Sequence, residues 1–90
     1  MGHISSDPEL LARVRRIAGQ LAAVEKAIVA AEPCATVLHR VAAVRGAVNG
    51  LLDEVIAEHL DAHVAAPGLS EADRKAGADE LLAVIRRYSK

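Results

Sequence analysis

Residues 33–65, PCATVLHRVAAVRGAVNGLLDEVIAEHLDAHVA, hold the longest helical pattern in this chain of 90 residues. Apolar side chains recur along it in steps of four, three, four, three and four, which is the spacing of a heptad seam on one helix face. Gly46 and Gly50 lie inside the pattern, and their spacing permits close approach of another helix. The dipeptide Pro67-Gly68 follows it and favours a turn. We therefore expect one long helix over about 33–65.

Two shorter segments carry the same periodicity. The first opens with Ser6 or Asp7 as a cap and Pro8 in its first turn, and Pro33 disfavours helix at the residue before it. The last segment begins at Ser70, a second capping residue. The prediction is an all-α, three-helix protomer in a single domain, 1–90, with a flexible arm at 1–6 and helices at about 7–31, 33–65 and 70–88.

The composition points to an oligomer and excludes several classes of protein. Apolar residues make up 52% of the chain, but aromatic residues only 1%, so the core is thin and a monomer would be marginally stable. No apolar run of 18 residues predicts a membrane span, and no signal-peptide pattern is visible. A single cysteine suits a reducing compartment. We expect a cytoplasmic protein without a membrane partner.

A cysteine and two histidines form the strongest chemical pattern. His59 and His63 are four residues apart and leave one face of the long helix, although such a pair is more often a solvated surface. Cys34 lies 25 residues before His59, which is about 37 Å along a continuous helix. The three cannot meet within one continuous helix, but they can if two copies of the helix pair antiparallel, and a twofold axis then creates two equivalent sites.

The N-terminal arm could complete this metal site. His3 lies there, and loss of Met1 would leave the amine of Gly2 beside it; the alternative is a disordered tail. One thiolate, two or three imidazoles and an amine suit nickel(II), cobalt(II) or zinc(II) better than copper(I), which prefers more sulfur. Nearby carboxylates add a favourable field for a cation: Glu54, Glu58 and Asp61.

A basic surface is the second candidate. Arg13, Arg16 and Gln20 are spaced along one face of the first helix, Arg15 is expected close to that face, and Arg45 joins it across the pair. Arginine binds phosphate well, but three arginines alone are more often a solvated face. An oligomer multiplies a modest patch into a multivalent surface.

Two runs of sequence resemble a known family. Residues 13–20, RVRRIAGQ, and 41–51, VAAVRGAVNGL, are similar to the signatures of the CsoR/RcnR/FrmR repressors, which respond to metals or formaldehyde. The resemblance implies a four-helix-bundle dimer, assembled as a dimer of dimers, that binds double-stranded operator DNA without a helix-turn-helix. It implies that the effector binds between protomers and releases the DNA.

By position, the resemblance assigns sensing to His3, Cys34, His59 and His63, and DNA contact to Arg13, Arg16 and Arg45. The copper branch has cysteine at position 63, whereas the nickel/cobalt branch matches all four sensor positions. We therefore expect a nickel(II)- or cobalt(II)-responsive repressor that also binds zinc(II) in vitro.

Three alternatives remain open at this point. The same scaffold could sense formaldehyde through Cys34 and the N-terminal amine, although that branch typically has proline at position 2. An enzyme with a Cys34–His59 dyad across the dimer lacks an orienting residue and an oxyanion motif. A plain helical interaction module would bind neither metal nor DNA.

Overall fold

The computed structural model describes residues 7–88, so the arm with Gly2 and His3 lies outside the described residues. It has three helices and, over 7–88, no strand, which confirms the all-α prediction. None of these helices has a stretch long and apolar enough to cross a membrane. In chain order the helices are α1 (Pro8–Val29), α2 (Cys34–His63) and α3 (Glu71–Tyr88).

The helix ends fall within two residues of the predicted bounds, and two predicted caps are present. Asp7 Oδ1 accepts hydrogen bonds from the backbone N–H groups of Glu9 and Leu10 at 2.9 and 3.2 Å. Ser70 Oγ accepts one from Asp73 N at 3.0 Å. Each bond satisfies a backbone donor that the first turn of a helix leaves unpaired.

α1 ends two residues earlier than predicted because the chain turns there. Ala31 has a φ of 52°, the amide of Ala31 donates to Ile28 O, and the amide of Glu32 donates to Ala27 O, both at 3.0 Å. This pair of bonds is a Schellman motif, which closes a helix with one left-handed residue. The turn reverses the chain, so α1 and α2 pack against each other.

The predicted apolar stripe of α1, which runs from Leu10 to Ile28 in steps of four, three, four, three and four, is divided between a buried and an exposed set. Leu10, Val24 and Ala27 are the only buried hydrophobic residues among those the structure describes, and Ile17 is half-buried. The alternate members of the predicted stripe are 44 to 62% exposed, because the contact with α2 covers one side of the stripe. These exposed members are Val14, Leu21 and Ile28.

α3 folds back onto the C-terminal half of α2. Gly77 is the one buried residue of α3, and a Cβ built there would overlap the backbone carbonyl of His63. Arg74 fixes the connecting loop, since its guanidinium donates to backbone carbonyls at the end of α2 and beyond it. The acceptors are the carbonyl oxygens of Val64, Ala66 and Leu69.

Candidate metal-binding residues and basic surface

His59 and His63 lie together at the C-terminal end of α2. Their ring centroids are 4.8 Å apart with an interplanar angle of 45°, and both residues are partly accessible. The four-residue spacing in a continuous helix produces this arrangement. The structure therefore brings the two imidazoles to one face, as the spacing predicts.

α3 determines which nitrogen of His59 is available. His59 Nε2 lies 2.9 Å from the backbone oxygen of Gly77, and Glu80 Oε1 is 3.9 Å from the same nitrogen. A carbonyl can only accept, so Nε2 is the donor, and in the neutral imidazole Nδ1 then keeps the free lone pair. Orienting an imidazole in this way prepares it to bind a metal ion.

Sequence reasoning singled out neither Gly77 nor Glu80. A signal for Gly77 was present, because a glycine inside a helical pattern costs about 1 kcal/mol and often marks a close packing contact. The partner of that contact could not be named from periodicity. It depends on how α3 folds back over α2.

Cys34 lies at the opposite end of the helix from the histidines. It is the first residue of α2 and is exposed. Because α2 is continuous from Cys34 to His63, the separation of about 37 Å expected from the helical rise applies within one protomer. No group of three or more potential ligands gathers in residues 7–88 of one chain.

The cysteine and the histidines share one face of α2 with exposed apolar residues. At 100° per residue, the positions of this face fall within about 40° of one another. α3 packs beside its C-terminal half and leaves both histidines partly accessible, and the N-terminal half is open. A thiol and two imidazoles on one face form a nitrogen-rich, sulfur-poor donor set that fits nickel(II), cobalt(II) or zinc(II). The face comprises Cys34, Val41, Val48, Leu52 and His59, with His63 beside it.

The predicted basic residues do not form one surface within a protomer. Arg13 turns towards α2, where its Nη2 lies 4.0 Å from Glu54 Oε1, whereas Arg16 and Gln20 are exposed. Arg15 lies about 160° around α1 from Arg13, so the expectation that it shares the face of Arg13 does not hold within one chain.

Arg45 and the two glycines of α2 also have distinct surroundings. Arg45 is exposed and lies about 140° around α2 from Gly50, which faces α1. Arg45 can therefore join arginines of α1 only across an assembly. A Cβ at Gly50 would lie 2.9 Å from Arg13 Nη1, whereas a Cβ at Gly46 would meet nothing within 4 Å. Of these two glycines, only Gly50 has an atom of another helix within 4 Å of a built Cβ, and that atom is the tip of a flexible arginine side chain.

Comparison with known proteins identifies the family. The family model described as metal-sensitive transcriptional repressor matches residues 6–87. The chain belongs to this family. It is a family of transcriptional repressors and not of enzymes, its members bind DNA as oligomers, and the description of the family names metal as the signal.

Individual relatives match this repressor over its full length. It is 43% identical to the transcriptional repressor RcnR of Salmonella arizonae, over 100% of both chains. It is 44% identical, over 100% of both chains, to an uncharacterized protein in the bioA 5′ region of Serratia marcescens. The fold also matches a solved structure, a glutamate-to-histidine variant of the formaldehyde-responsive regulator FrmR from Salmonella enterica serovar Typhimurium. That match has a TM-score of 0.83 and 40% identity, and covers 91% of this chain and 97% of the other.

Proposed function

We propose that this repressor acts in the cytoplasm, binds operator DNA when metal-free, and releases it on binding nickel(II) or cobalt(II), so that an efflux or detoxification gene is expressed. The observation that carries the proposal is the shared face of α2, with Cys34 at one end and two histidines at the other. The full-length similarity to the transcriptional repressor RcnR supports the same function.

The effector site forms between protomers in this proposal. Antiparallel pairing of two α2 helices sets Cys34 of one protomer beside His59 and His63 of the partner subunit, and twofold symmetry makes two such sites per dimer. His3, from the arm at 1–6, supplies the fourth ligand, with the Gly2 amine as a further donor. A bound ion supplies a positive charge that holds the thiolate and the imidazoles together.

The DNA surface is assembled from both protomers. Arg13, Arg16 and Gln20 supply contacts from α1, Arg45 from α2, and Arg15 contributes from the other side of α1. Guanidinium groups bind phosphate oxygens in a bidentate manner. If metal binding weakens DNA binding, then DNA weakens metal binding by the same factor.

Formaldehyde is the second candidate effector, favoured by the structural match to a formaldehyde-responsive regulator. The Cys34 thiol and the N-terminal amine would add to one formaldehyde molecule and lose one water, leaving a methylene bridge between sulfur and nitrogen. Intact mass spectrometry detects that bridge as one added carbon atom.

A cobalt(II) titration of the reduced, tag-free protein under anaerobic conditions tests the proposal. We expect a thiolate-to-cobalt charge-transfer band that saturates at one ion per chain, together with weak six-coordinate d–d bands and release of bound DNA. Cys34→Ser should lose the band, because only the thiolate produces it.

The matched control is His39→Ala, which removes an exposed imidazole from the same helix and should keep both the band and the release. A wild-type protein without the charge-transfer band would show that Cys34 does not bind cobalt. Formaldehyde would then become the preferred effector.

A further inference from the structure

We propose that Glu54 is a positioning residue that holds Arg13 against α2 and competes with DNA phosphate for its guanidinium. The inference rests on the proposed function, because it concerns the DNA affinity of the metal-free repressor. Arg13 Nη2 and Glu54 Oε1 are 4.0 Å apart, and the two side chains are 35% and 54% exposed. Both groups are therefore accessible enough for the pair to open.

Gly50 makes room for the guanidinium. A Cβ at this position would lie 2.9 Å from Arg13 Nη1, closer than real Cβ contacts, so an added side chain shifts the guanidinium from its place beside Glu54. Gly50 and Glu54 are four residues apart and thus lie on one face of α2. Together they form a seat, or binding position, for the Arg13 side chain: Gly50 leaves space for the guanidinium, and Glu54, one helical turn later, supplies a carboxylate.

The surroundings of this seat are unfavourable for an approaching phosphate. A polar cleft between the first turns of α1 and the C-terminal half of α2 holds two arginines and four carboxylates. Its net charge is negative, so a phosphate that binds Arg13 in the cleft meets like charge. Arg13 binds DNA better after it leaves Glu54 and turns outward. The charged residues of the cleft are Asp7, Glu9, Arg13, Arg16, Glu54 and Glu58.

The size of the effect follows from the exposure of the pair. Exposed ion pairs are individually weak, and breaking one should change DNA affinity by about two- to threefold. Two protomers that both contact DNA multiply this factor, so we expect about fivefold for the assembled repressor. Each Arg13 that gains a phosphate also releases counterions and steepens the salt dependence of binding.

The experiment uses the full chain, reduced and metal-free, with duplex DNA selected from a random pool by the wild-type protein. Fluorescence anisotropy then measures the affinity of Glu54→Gln over a range of salt concentrations. We expect affinity to rise about fivefold, and the slope of log affinity against log salt to become steeper by about 0.9 per phosphate gained. Asp53→Asn, an exposed neighbour on α2, removes the same charge and should change affinity less than twofold with the slope unchanged.

Further variants distinguish a specific effect on Arg13 from a general effect of removing negative charge. Gly50→Ala displaces Arg13 without changing any charge and should raise affinity in the same direction, whereas Gly46→Ala should not. In an Arg13→Ala background, Glu54→Gln should give no gain.

Equal effects of Glu54→Gln and Asp53→Asn, or a gain that persists without Arg13, would overturn the inference and leave the proposed function intact. A wild-type protein that enriches no duplex from the pool would overturn the proposed function, and the inference with it.

Discussion

Single residues decide how closely α3 approaches the histidines. The backbone oxygen of Gly77 lies 2.9 Å from His59 Nε2, and the missing side chain lets α3 touch the backbone of His63. The same position thus supplies a hydrogen-bond acceptor and a packing contact. Any other residue at position 77 would still have a backbone carbonyl, but its side chain would push α3 away from α2 and lengthen the hydrogen bond to His59.

The substitution Gly77→Ala should lower the free energy of unfolding by about 2 kcal/mol, because the added Cβ overlaps backbone that cannot easily move. Urea unfolding followed by circular dichroism measures this change. Gly46→Ala is the control, since its Cβ meets nothing within the protomer, and it should leave stability unchanged or raise it by up to about 1 kcal/mol. Equal stability of the two variants would contradict the close approach of α3.

The C-terminal end of α1 adopts a turn that its residue type does not favour. The left-handed position of the Schellman motif usually carries glycine, but here it carries Ala31 at a φ of 52°. The side chain makes this conformation costly by about 1–2 kcal/mol. α1 therefore ends with strain that the packing of α1 on α2 offsets.

Ala31→Gly should accordingly raise the free energy of unfolding by about 1 kcal/mol, since the relieved strain exceeds the entropy that glycine adds to the unfolded chain. Ala30→Gly changes the adjacent residue, whose φ is −78°, and should lower stability by about 0.5–1 kcal/mol. Thermal unfolding of both variants gives the comparison. A loss of stability in Ala31→Gly would count against the left-handed turn.

As a whole molecule, the protomer is a single layer that needs a partner. Its radius of gyration is 17.2 Å, whereas a compact domain of this length has about 12 Å. Its smallest extent is 13 Å, close to the diameter of one helix with side chains. Fourteen large hydrophobic residues are exposed in the described part of the chain. A layer with uncovered apolar faces is stable only when another layer packs on it, which supports the family's oligomeric assembly.

The proposed pairing places the twofold axis near Val48, midway between Cys34 and the two histidines. Val48 is 45% exposed in the protomer, so Val48→Glu should leave the helices intact but put two unpaired carboxylates in the interface. Burying such charges costs several kcal/mol, and the dimer dissociation constant should rise about a hundredfold or more.

Size-exclusion chromatography with light scattering measures the molar mass of the Val48→Glu variant in solution. The control is Ala43→Glu, at an exposed position about 140° around α2 from Val48, which should keep the wild-type mass. An unchanged mass for Val48→Glu would show that the open face of α2 is not the seam between protomers.

Local features of the sequence were sufficient to predict much of this protein. Heptad spacing, capping residues and the prolines predict three helices to within two residues. The distance along one helix already requires Cys34 and His59 to meet through a second copy if they share a site. These conclusions depend on helical rise and periodicity, which are the same in every helix.

Only the tertiary structure decided which residues of different helices touch. It placed Arg13 beside Glu54 over Gly50, and set the carbonyl of Gly77 against His59. It also divided the α1 stripe into buried and exposed halves. Each of these contacts depends on how the helices cross and on the depth to which side chains interlock. Periodicity defines the face of a helix, but packing determines which part of that face another helix covers.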